Sequence, residues 1–432
     1  MKNIIFIGFK HAGKSMFGEM LAEKTGLPFF DLDDLIVKKE AEKTGEKMSC
    51  GEIVRGKGEE YFRDVETECL KEIMGKKGRV VLSLGGGALE RGENQKLLLG
   101  NDIVYLRVPK SILYERIMTG GKPAFFDEEK SAYENFEVLW TTRVPVYEKM
   151  ATIIVENKAS QAETFTVLMR ELGVFNLVIG GQLGHSLSPE FHEKIYVKLG
   201  VHARMIPFET DSAETAIAKI RELNAGLSAI TIPHKEAIME FLDEIDDEAL
   251  EIGAVNTVIQ MARVGESQAR LKGFNTDITG IEKAFENEGV SVKGKRLMLL
   301  GAGGAARAVA FFAKKHGAKL LCTNRNASRA AELAKKMGGE VIPWEDREKT
   351  EADIYVNATP LGMEPNENET PISAKVFTPQ KVVFDVVYAP HETLFLKNAK
   401  SRGAKVIYGM QMFEAQAFAQ IDIWLKSKNI NF

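Results

Sequence analysis

Residues 1–15 read MKNIIFIGFKHAGKS: an apolar run, NIIFIG, that passes directly into GFKHAGKS at 8–15, a match to G-x-x-x-x-G-K-[ST]. A glycine-rich loop between a strand and a helix turns its backbone N–H groups toward phosphate oxygens, and the positive helix end assists. The following segment, SMFGEMLAEKTG, supplies the helix. In such a loop Lys14 reaches the β- and γ-phosphates, and the Ser15 hydroxyl ligates Mg²⁺. The stretch predicts a parallel α/β unit that binds a nucleotide. It leaves open what accepts the phosphate.

Outward from this start, strand-like and helical segments alternate: LPFFDLDD, GRVVLSLGGG, DIVYLRV and ATIIVE are strand-like. The alternation predicts βαβ units and parallel sheets. SQAETFTVLMREL (160–172) opens with a cap-like Ser and is followed by Gly173, a helix stop. FNLVIGG (175–181) then begins a fresh strand, which places a boundary near 173. KRLMLLGAGG (295–304) opens a third unit.

A chain of 432 residues needs two or three cores. With 44% apolar residues, 27% charged residues and a net charge of −4, nothing points to nucleic acid. The longest apolar runs are strand-length, so no membrane span is expected, and one Lys before a short run does not read as a secretory signal. Cys50, Cys69 and Cys322 are odd in number and widely spaced, without a C-x-x-C pair. Neither disulfides nor zinc are expected, and a reducing cytoplasm is the simplest compartment.

Asp31 and Asp33 alternate at the end of a strand and are expected to face one cleft. One carboxylate there can help hold Mg²⁺, and the other can accept a proton from a substrate hydroxyl. Arg63 and Arg143 can fork a carboxylate. The triple glycine Gly85, Gly86 and Gly87 lets a small substrate lie on bare backbone. Each also has an ordinary structural reading: a helix start, a surface charge, a loop. In order and spacing, FFDLDD, EYFRDVE, LSLGGGA and TTRVPVYEKM resemble shikimate kinase over residues 1–172. The resemblance implies that Asp31 joins Ser15 at the metal. It places shikimate against Asp33, Arg63, Gly85, Gly86, Gly87 and Arg143, with Asp33 as base toward the 3-hydroxyl, and Lys14 is the catalytic group at the phosphates. It places ATP against Gly8, His11, Ala12, Gly13, Lys14, Ser15, Met16 and Lys122. Two residues depart from the family's usual pattern, His11 in place of Gly and Lys122 in place of Arg.

Farther along, GHSLSP (184–189), SAITIPHK (228–235), GAVNT (253–257) and GFNTD (273–277) concentrate polar groups between apolar stretches. His185, His192 and His234 lack partners at metal-ligand spacing and read as turn or surface histidines. The order HSLSP, TIPHK, GAVNT, NTD, GAGGAAR resembles shikimate dehydrogenase over 175–432. The resemblance implies a substrate site of Ser186, Ser188, Thr231, Lys235, Asn256, Asp277, Tyr388 and Gln416, with Lys235 and Asp277 as the catalytic pair. The form GMQMFEAQ is nearer to the plant fused enzymes than to the usual bacterial one.

LMLLGAGGAARA places Gly301, Gly303 and Gly304 between a strand and a helix, a dinucleotide turn. The next strand, KLLCTNR, ends without the carboxylate that an NAD enzyme uses on the ribose, and Asn324, Arg325, Asn326 and Arg329 follow. Cations there favour the 2′-phosphate of NADP. By the resemblance NADP also meets Ala302, Ala305, Asn357 and Thr359 of NATPLGM, and Gly409.

The chain is thus read as α/β throughout. A P-loop kinase domain (1–172) precedes a substrate domain (175–276 with 409–432) and a Rossmann-type NADP domain (277–408). The implied function is NADPH-dependent reduction of 3-dehydroshikimate followed by ATP-dependent phosphorylation of shikimate, with ATP, Mg²⁺ and NADP as cofactors. Small molecules are the expected partners, with no nucleic acid and no membrane, and the oligomeric state stays open. Two alternatives remain at this stage: quinate or a related ring acid as substrate, and a nucleotide-sensing regulator with a degenerate kinase half.

Overall fold

The first strand is wholly buried from Ile4 to Ile7, as a strand covered by helices on both faces must be. It belongs to a computed structural model that describes residues 1–119, 126, 129–184, 186–261 and 269–429. The chain divides into two units, Met1–Val174 and Phe175–Phe432. In the first, β1 (Ile4–Ile7), β2 (Phe29–Asp31), β3 (Val81–Ser83), β4 (Asp102–Arg107) and β5 (Ile153–Glu156) form one sheet in the order β2-β3-β1-β4-β5. Every pairing is parallel. The glycine loop leaves the carboxyl end of β1, between β3 and β4, where ligand crevices of such sheets lie. Asn157, just past β5, donates to the Ala12 carbonyl at 2.9 Å and ties the loop to the sheet. The unit's last helix, Gln161–Leu172, starts in a Ser160/Glu163 capping box and stops at Gly173 with φ 82°.

The second unit holds two sheets. One comprises β6 (Val174–Gly180), β7 (Ala203–Glu209), β8 (Leu227–Ile230), β9 (Glu244–Ile245), β10 (Thr257–Met261) and β11 (Arg270–Phe274), in the order β7-β6-β8-β10-β11-β9. This sheet corrects the expectation of parallel pairing throughout: β10 runs antiparallel to both β8 and β11. β10 ends at Met261 and β11 starts at Arg270, a connection shorter than the crossover of about a dozen or more residues that a parallel pair needs. The other sheet is fully parallel, β14-β13-β12-β15-β16-β17, from β12 (Arg296–Leu300), β13 (Lys319–Thr323), β14 (Glu340–Val341), β15 (Ile354–Asn357), β16 (Val382–Asp385) and β17 (Lys405–Ile407). Its order reverses between β12 and β15, which marks the expected nucleotide crevice.

The helix Gly409–Ser427 joins the two layers. Its Ile421, Trp424 and Leu425 pack into the core of the mixed sheet with Val178, Leu227 and Ile259. Its first turns lie on the helix Asp277–Asn287, where a Cβ on Gly280 would stand 2.5 Å from the Met412 carbonyl oxygen. At the carboxyl end of β16, Asp385 is fully buried and accepts from Thr393 Oγ1 at 2.5 Å, Val387 N at 3.0 Å and Asn357 Nδ2 at 3.0 Å. Burial pushes its carboxyl up to about 7, against these three hydrogen bonds.

Two stability outcomes follow from this packing. Helix propensity alone favours Gly280→Ala by about 1 kcal/mol. The contact with Met412 should reverse the sign and cost about 1–3 kcal/mol, read as a lower thermal midpoint of the second unit. A raised midpoint would show that the two helices part freely. Asp385 holds its proton more tightly folded than unfolded, so its contribution is full below its unfolded value of 3.8 and is lost as pH rises to about 7. Asp385→Asn should therefore gain up to about 4 kcal/mol relative to wild type between pH 4 and pH 7 in denaturant titrations. A difference independent of pH would mean that the three donors keep the carboxylate ionised.

Candidate active sites

The phosphate loop turns through left-handed backbone at Gly8 (φ 138°), His11 (φ 64°) and Gly13 (φ 90°). His11 stands where a glycine would be unstrained, which gives that departure a backbone cost of about 1 kcal/mol or more. Burial, with Lys10 and Lys14 nearby, pushes its imidazole below the ordinary value. Gly13 precedes the helix Lys14–Thr25 without any side-chain cap, which leaves the first amides for a ligand. Ala12 is buried and Met16 exposed beside them. Lys14 is buried and donates to the Phe9 carbonyl at 2.8 Å. Burial lowers its pKa to about 8, opposed by Asp33 and Asp31. Ser15 Oγ donates to Asp31 Oδ2 at 2.5 Å and lies 3.2 Å from Ser83 Oγ. No group of three or more His, Cys, Asp or Glu side chains gathers for a metal among the described residues. A hydroxyl and one carboxylate nevertheless fit Mg²⁺ that shares its shell with phosphate oxygens and water. Lys122 lies outside the described residues.

Asp33 is not on the strand with Asp31. β2 ends at Asp31, which caps the helix Leu32–Thr44 by accepting from Asp33 N at 3.0 Å, so Asp33 sits in the first helical turn. The two carboxylates meet through the cap and not through strand alternation. The triple glycine is explained by what covers it. A Cβ on Gly85 would lie 2.8 Å from Asp33 Oδ1, one on Gly86 3.4 Å from Arg143 Nη1, and one on Gly87 2.3 Å from Arg63 Nη2. Burial, then Asp31, raises the Asp33 pKa. Arg63 donates to Glu66 Oε2 at 3.0 Å and to Glu90 Oε2 at 3.2 Å. Arg143 Nε donates to Glu90 Oε1 at 2.8 Å. A cleft of about 220 Å³ opens here, lined by Gly86, Leu89, Glu90, Thr142, Arg143, Val146 and Tyr147. Glu66 and Glu90 were not legible as site residues. Glu66 stands one turn beyond Arg63, a signal that was available, whereas Glu90 follows the glycines without any motif.

In the second unit Lys235 is the second residue of the short helix His234–Ala237 after β8, and Asp277 begins Asp277–Asn287 after β11. Lys235 Nζ donates to Asp277 Oδ2 at 2.5 Å, so Lys235 is not the solvated strand end that a lone Lys suggests. Asn256 organises the surroundings. Its Nδ2 donates to Asp277 Oδ1 at 2.8 Å and approaches Gln416 Oε1 at 3.3 Å, while its Oδ1 accepts from Thr276 N at 2.8 Å. Ser186 Oγ accepts from Ser188 N at 3.3 Å and hydrogen-bonds Tyr388, whose pKa burial raises. The Tyr388 ring packs 4.5 Å from Phe413, whose carbonyl accepts from Gln416 at 3.1 Å, so these serines connect with the Asn256 cluster. The Thr231 methyl fills the space that a Cβ on Gly180 would need, at 2.6 Å.

The histidine expectation needs correction. His192 is fully buried, pushed to about 4 by burial, and bridges the Ser188 carbonyl (2.8 Å) to Gln420 Oε1 (3.0 Å). His234 is also buried and contacts the Thr210 carbonyl at 2.6 Å. Both serve as buried connectors because their ring nitrogens meet backbone and amide oxygens. His185 lies outside the described residues.

The dinucleotide turn adjoins this cluster. A Cβ on Gly301, which has φ 121°, would stand 2.6 Å from the Ala358 carbonyl oxygen, and one on Gly304 would meet the Lys235 side chain at 2.9 Å. A Cβ on Gly303 would meet nothing within 4 Å, leaving room above the uncapped start of the helix Gly304–Lys315. That opening fits a pyrophosphate. Ala302 is buried and Ala305 half-buried beside it. Asn324 donates to the Asn326 carbonyl at 3.1 Å, Asn326 caps the helix Ala327–Met337, and Arg325 is exposed. Arg329 pairs with Glu236 at 2.8 Å, and Arg307 pairs with the other oxygen of Glu236 at 2.8 Å. Glu236, next to Lys235, was not anticipated from the sequence. Asn357 Oδ1 accepts from Thr359 N at 3.0 Å and Oγ1 at 2.7 Å. Gly409 lacks room for any side chain, since a Cβ would lie 2.4 Å from the Val387 carbonyl oxygen.

Comparison with known proteins gives the family of each part of the chain. Residues 10–173 match the family model for shikimate kinase. Residues 178–258 match the shikimate dehydrogenase substrate binding domain, and 282–367 match shikimate / quinate 5-dehydrogenase. A shikimate dehydrogenase (NADP(+)) of Carboxydothermus hydrogenoformans is 38% identical over 257 residues, covering 57% of this chain and 90% of that protein. The solved shikimate 5-dehydrogenase of Thermus thermophilus, in complex with NADP(H) and shikimate, is 34% identical with a TM-score of 0.53, over 59% of this chain and 94% of that one. A quinate dehydrogenase of Corynebacterium glutamicum in complex with NAD is 30% identical with a TM-score of 0.53, over 59% of this chain and 94% of that one. No described helix is long and apolar enough to cross a membrane. The chain thus belongs to the shikimate dehydrogenase family and carries a shikimate kinase domain ahead of it in the sequence, a bifunctional enzyme of the shikimate pathway.

Proposed function

We propose that the second unit reduces 3-dehydroshikimate with NADPH and that the first phosphorylates the 3-hydroxyl of the resulting shikimate with MgATP. The observation that carries the reading is the Lys235–Asp277 pair set against Gly304 of the dinucleotide turn. Reducing a ketone builds negative charge on its oxygen, and Lys235 Nζ delivers the proton that quenches it. Asp277 orients that ammonium, and Asn256 fixes Asp277 by donating to its second oxygen. Ser186, Ser188, Thr231, Tyr388 and Gln416 bind ring hydroxyls and the carboxylate. NADPH supplies the hydride when bound.

In the kinase unit Asp33 takes the proton of the attacking hydroxyl, and its raised proton affinity suits that task. Arg63 and Arg143 fork the substrate carboxylate and fix the ring over Gly85–Gly87. Lys14 neutralises charge on the transferring group, and Ser15 with Asp31 holds Mg²⁺, which shields the phosphates when bound.

Two assays on one preparation test the reading: NADPH absorbance loss with 3-dehydroshikimate, and ADP release with shikimate, each repeated with quinate. Lys235→Ala should lower the first rate about 10²–10⁴-fold and spare the second. Lys14→Ala should do the reverse. A folded single variant that loses both activities, or a wild type that prefers quinate, overturns the assignment.

Cofactor choice gives a separate outcome. Arg325 is exposed at the end of β13, while Arg329 is engaged by Glu236. Arg325→Ala should lower kcat/KM for NADPH about 10- to 100-fold and leave NADH use nearly unchanged. Arg329→Ala should cost less. Equal losses with both cofactors, or a wild type that prefers NADH, would remove the basis for a 2′-phosphate site.

A further inference from the structure

In the kinase unit Arg143, which lines the cleft, and Arg63 beside it already hold a carboxylate between them. Glu90 Oε1 accepts from Arg143 Nε at 2.8 Å and lies 2.7 Å from Arg143 Nη2, while Oε2 accepts from Arg63 Nη2 at 3.2 Å. One side chain thus spans both arginines in the way a ligand carboxylate would.

Its setting makes it replaceable. Glu90 ends the single 3₁₀ turn Ala88–Glu90 and lines the cleft wall. Its side chain is 44% exposed, against 14% for Arg63 and 10% for Arg143. It can leave for water without being stranded in the interior. Arg63 keeps Glu66 as a buried partner when Glu90 departs, so that charge is not orphaned.

We propose that Glu90 is an internal competitor for the carboxylate subsite: it occupies the Arg63–Arg143 fork until the substrate carboxylate displaces it into solvent. The inference rests on the proposed reading of that fork as the carboxylate site. Two consequences follow. Apparent affinity for shikimate is lowered by the fraction of molecules in which Glu90 holds the fork. Selectivity is sharpened, because a neutral ring alcohol offers nothing to replace the carboxylate that it must expel. Glu90 is therefore a specificity-determining residue that need not touch the ring.

The test is the shikimate dependence of single-turnover ADP release by the full chain with Glu90→Gln and Glu90→Ala, which reports Kd at the kinase site alone although the dehydrogenase unit also takes shikimate, with dehydrogenase rate in the same preparations normalising the active concentration. Both variants should lower the Kd for shikimate about three- to tenfold. Inorganic sulfate should become a stronger competitor against shikimate in the kinase assay. An unchanged or raised Kd in both variants overturns the proposal, the raised value marking Glu90 as a positioning group for the arginines. Arg143→Ala separates the two levels. If it raises Kd while the Glu90 variants do not lower it, only the competitor role falls. If it leaves Kd unchanged, the fork reading falls and the proposal with it.

Discussion

Both sites depend on bare backbone lying directly beneath a charged side chain. In the first unit Asp33, Arg143 and Arg63 stand over Gly85, Gly86 and Gly87, where a Cβ would approach within 2.8, 3.4 and 2.3 Å of their polar atoms. In the second, the Lys235 side chain lies over Gly304. Glycine is needed at these positions for space and not for conformation, since none of the four has a positive φ. Removing the Cβ brings charge to the crevice at the carboxyl ends of the strands, where each parallel sheet has its switch in strand order. An alanine at Gly87 or Gly304 would push the arginine or the lysine out of the geometry that the rest of the site is built around.

Charge held so close to the backbone must be compensated. The protein does this with carboxylates and amides, several of which carry no motif. Asn256 uses both ends of its amide to fix Asp277 and Thr276. Gln420 carries that network on to the buried His192, and its amide donates to the Asn256 carbonyl at 3.2 Å. In the kinase unit Glu66 is fully buried against Arg63, and burial raises its pKa in spite of that neighbour. A buried hydrogen-bonded network holds one arrangement, which suits a site whose proton donor and acceptor must stay within hydrogen-bond reach.

What was legible in the sequence follows from this division. The glycine turns, Lys14, Ser15, Lys235 and Asp277 announce themselves because local backbone geometry demands a fixed spacing. The parallel pairing of the first and third sheets was legible from the alternation of strands and helices. The antiparallel β10 was not, because pairing direction is set by the partner strand and leaves no local mark. Asp33 looked like a strand residue because a period of two also fits a helical cap followed by a first turn. His192 and His234 were misread because burial depends on the helix Gly409–Ser427 and on the Thr210 carbonyl, both remote in sequence. Glu90 and Glu236 were missed for the same reason: a carboxylate that pairs with two distant arginines is indistinguishable in sequence from any surface acid.

Those two acids share one physical role. Glu90 bridges Arg63 and Arg143, and Glu236 bridges Arg307 and Arg329. Each lies beside a position where an anion is proposed to bind, the substrate carboxylate in one unit and the cofactor phosphate in the other. A cluster of cations with no counter-charge would repel itself and bind any anion in solution. An internal carboxylate neutralises the cluster and sets a threshold, because an incoming anion must offer better geometry than the glutamate it replaces. The two are not equivalent. The Arg63 and Arg143 side chains are nearly buried, so their partner acts where solvent screens little. Arg329 is half exposed, and water already weakens its bond to Glu236. Displacement should therefore govern affinity in the kinase cleft and matter less at the cofactor ribose, where Arg325 has no comparable pairing to break.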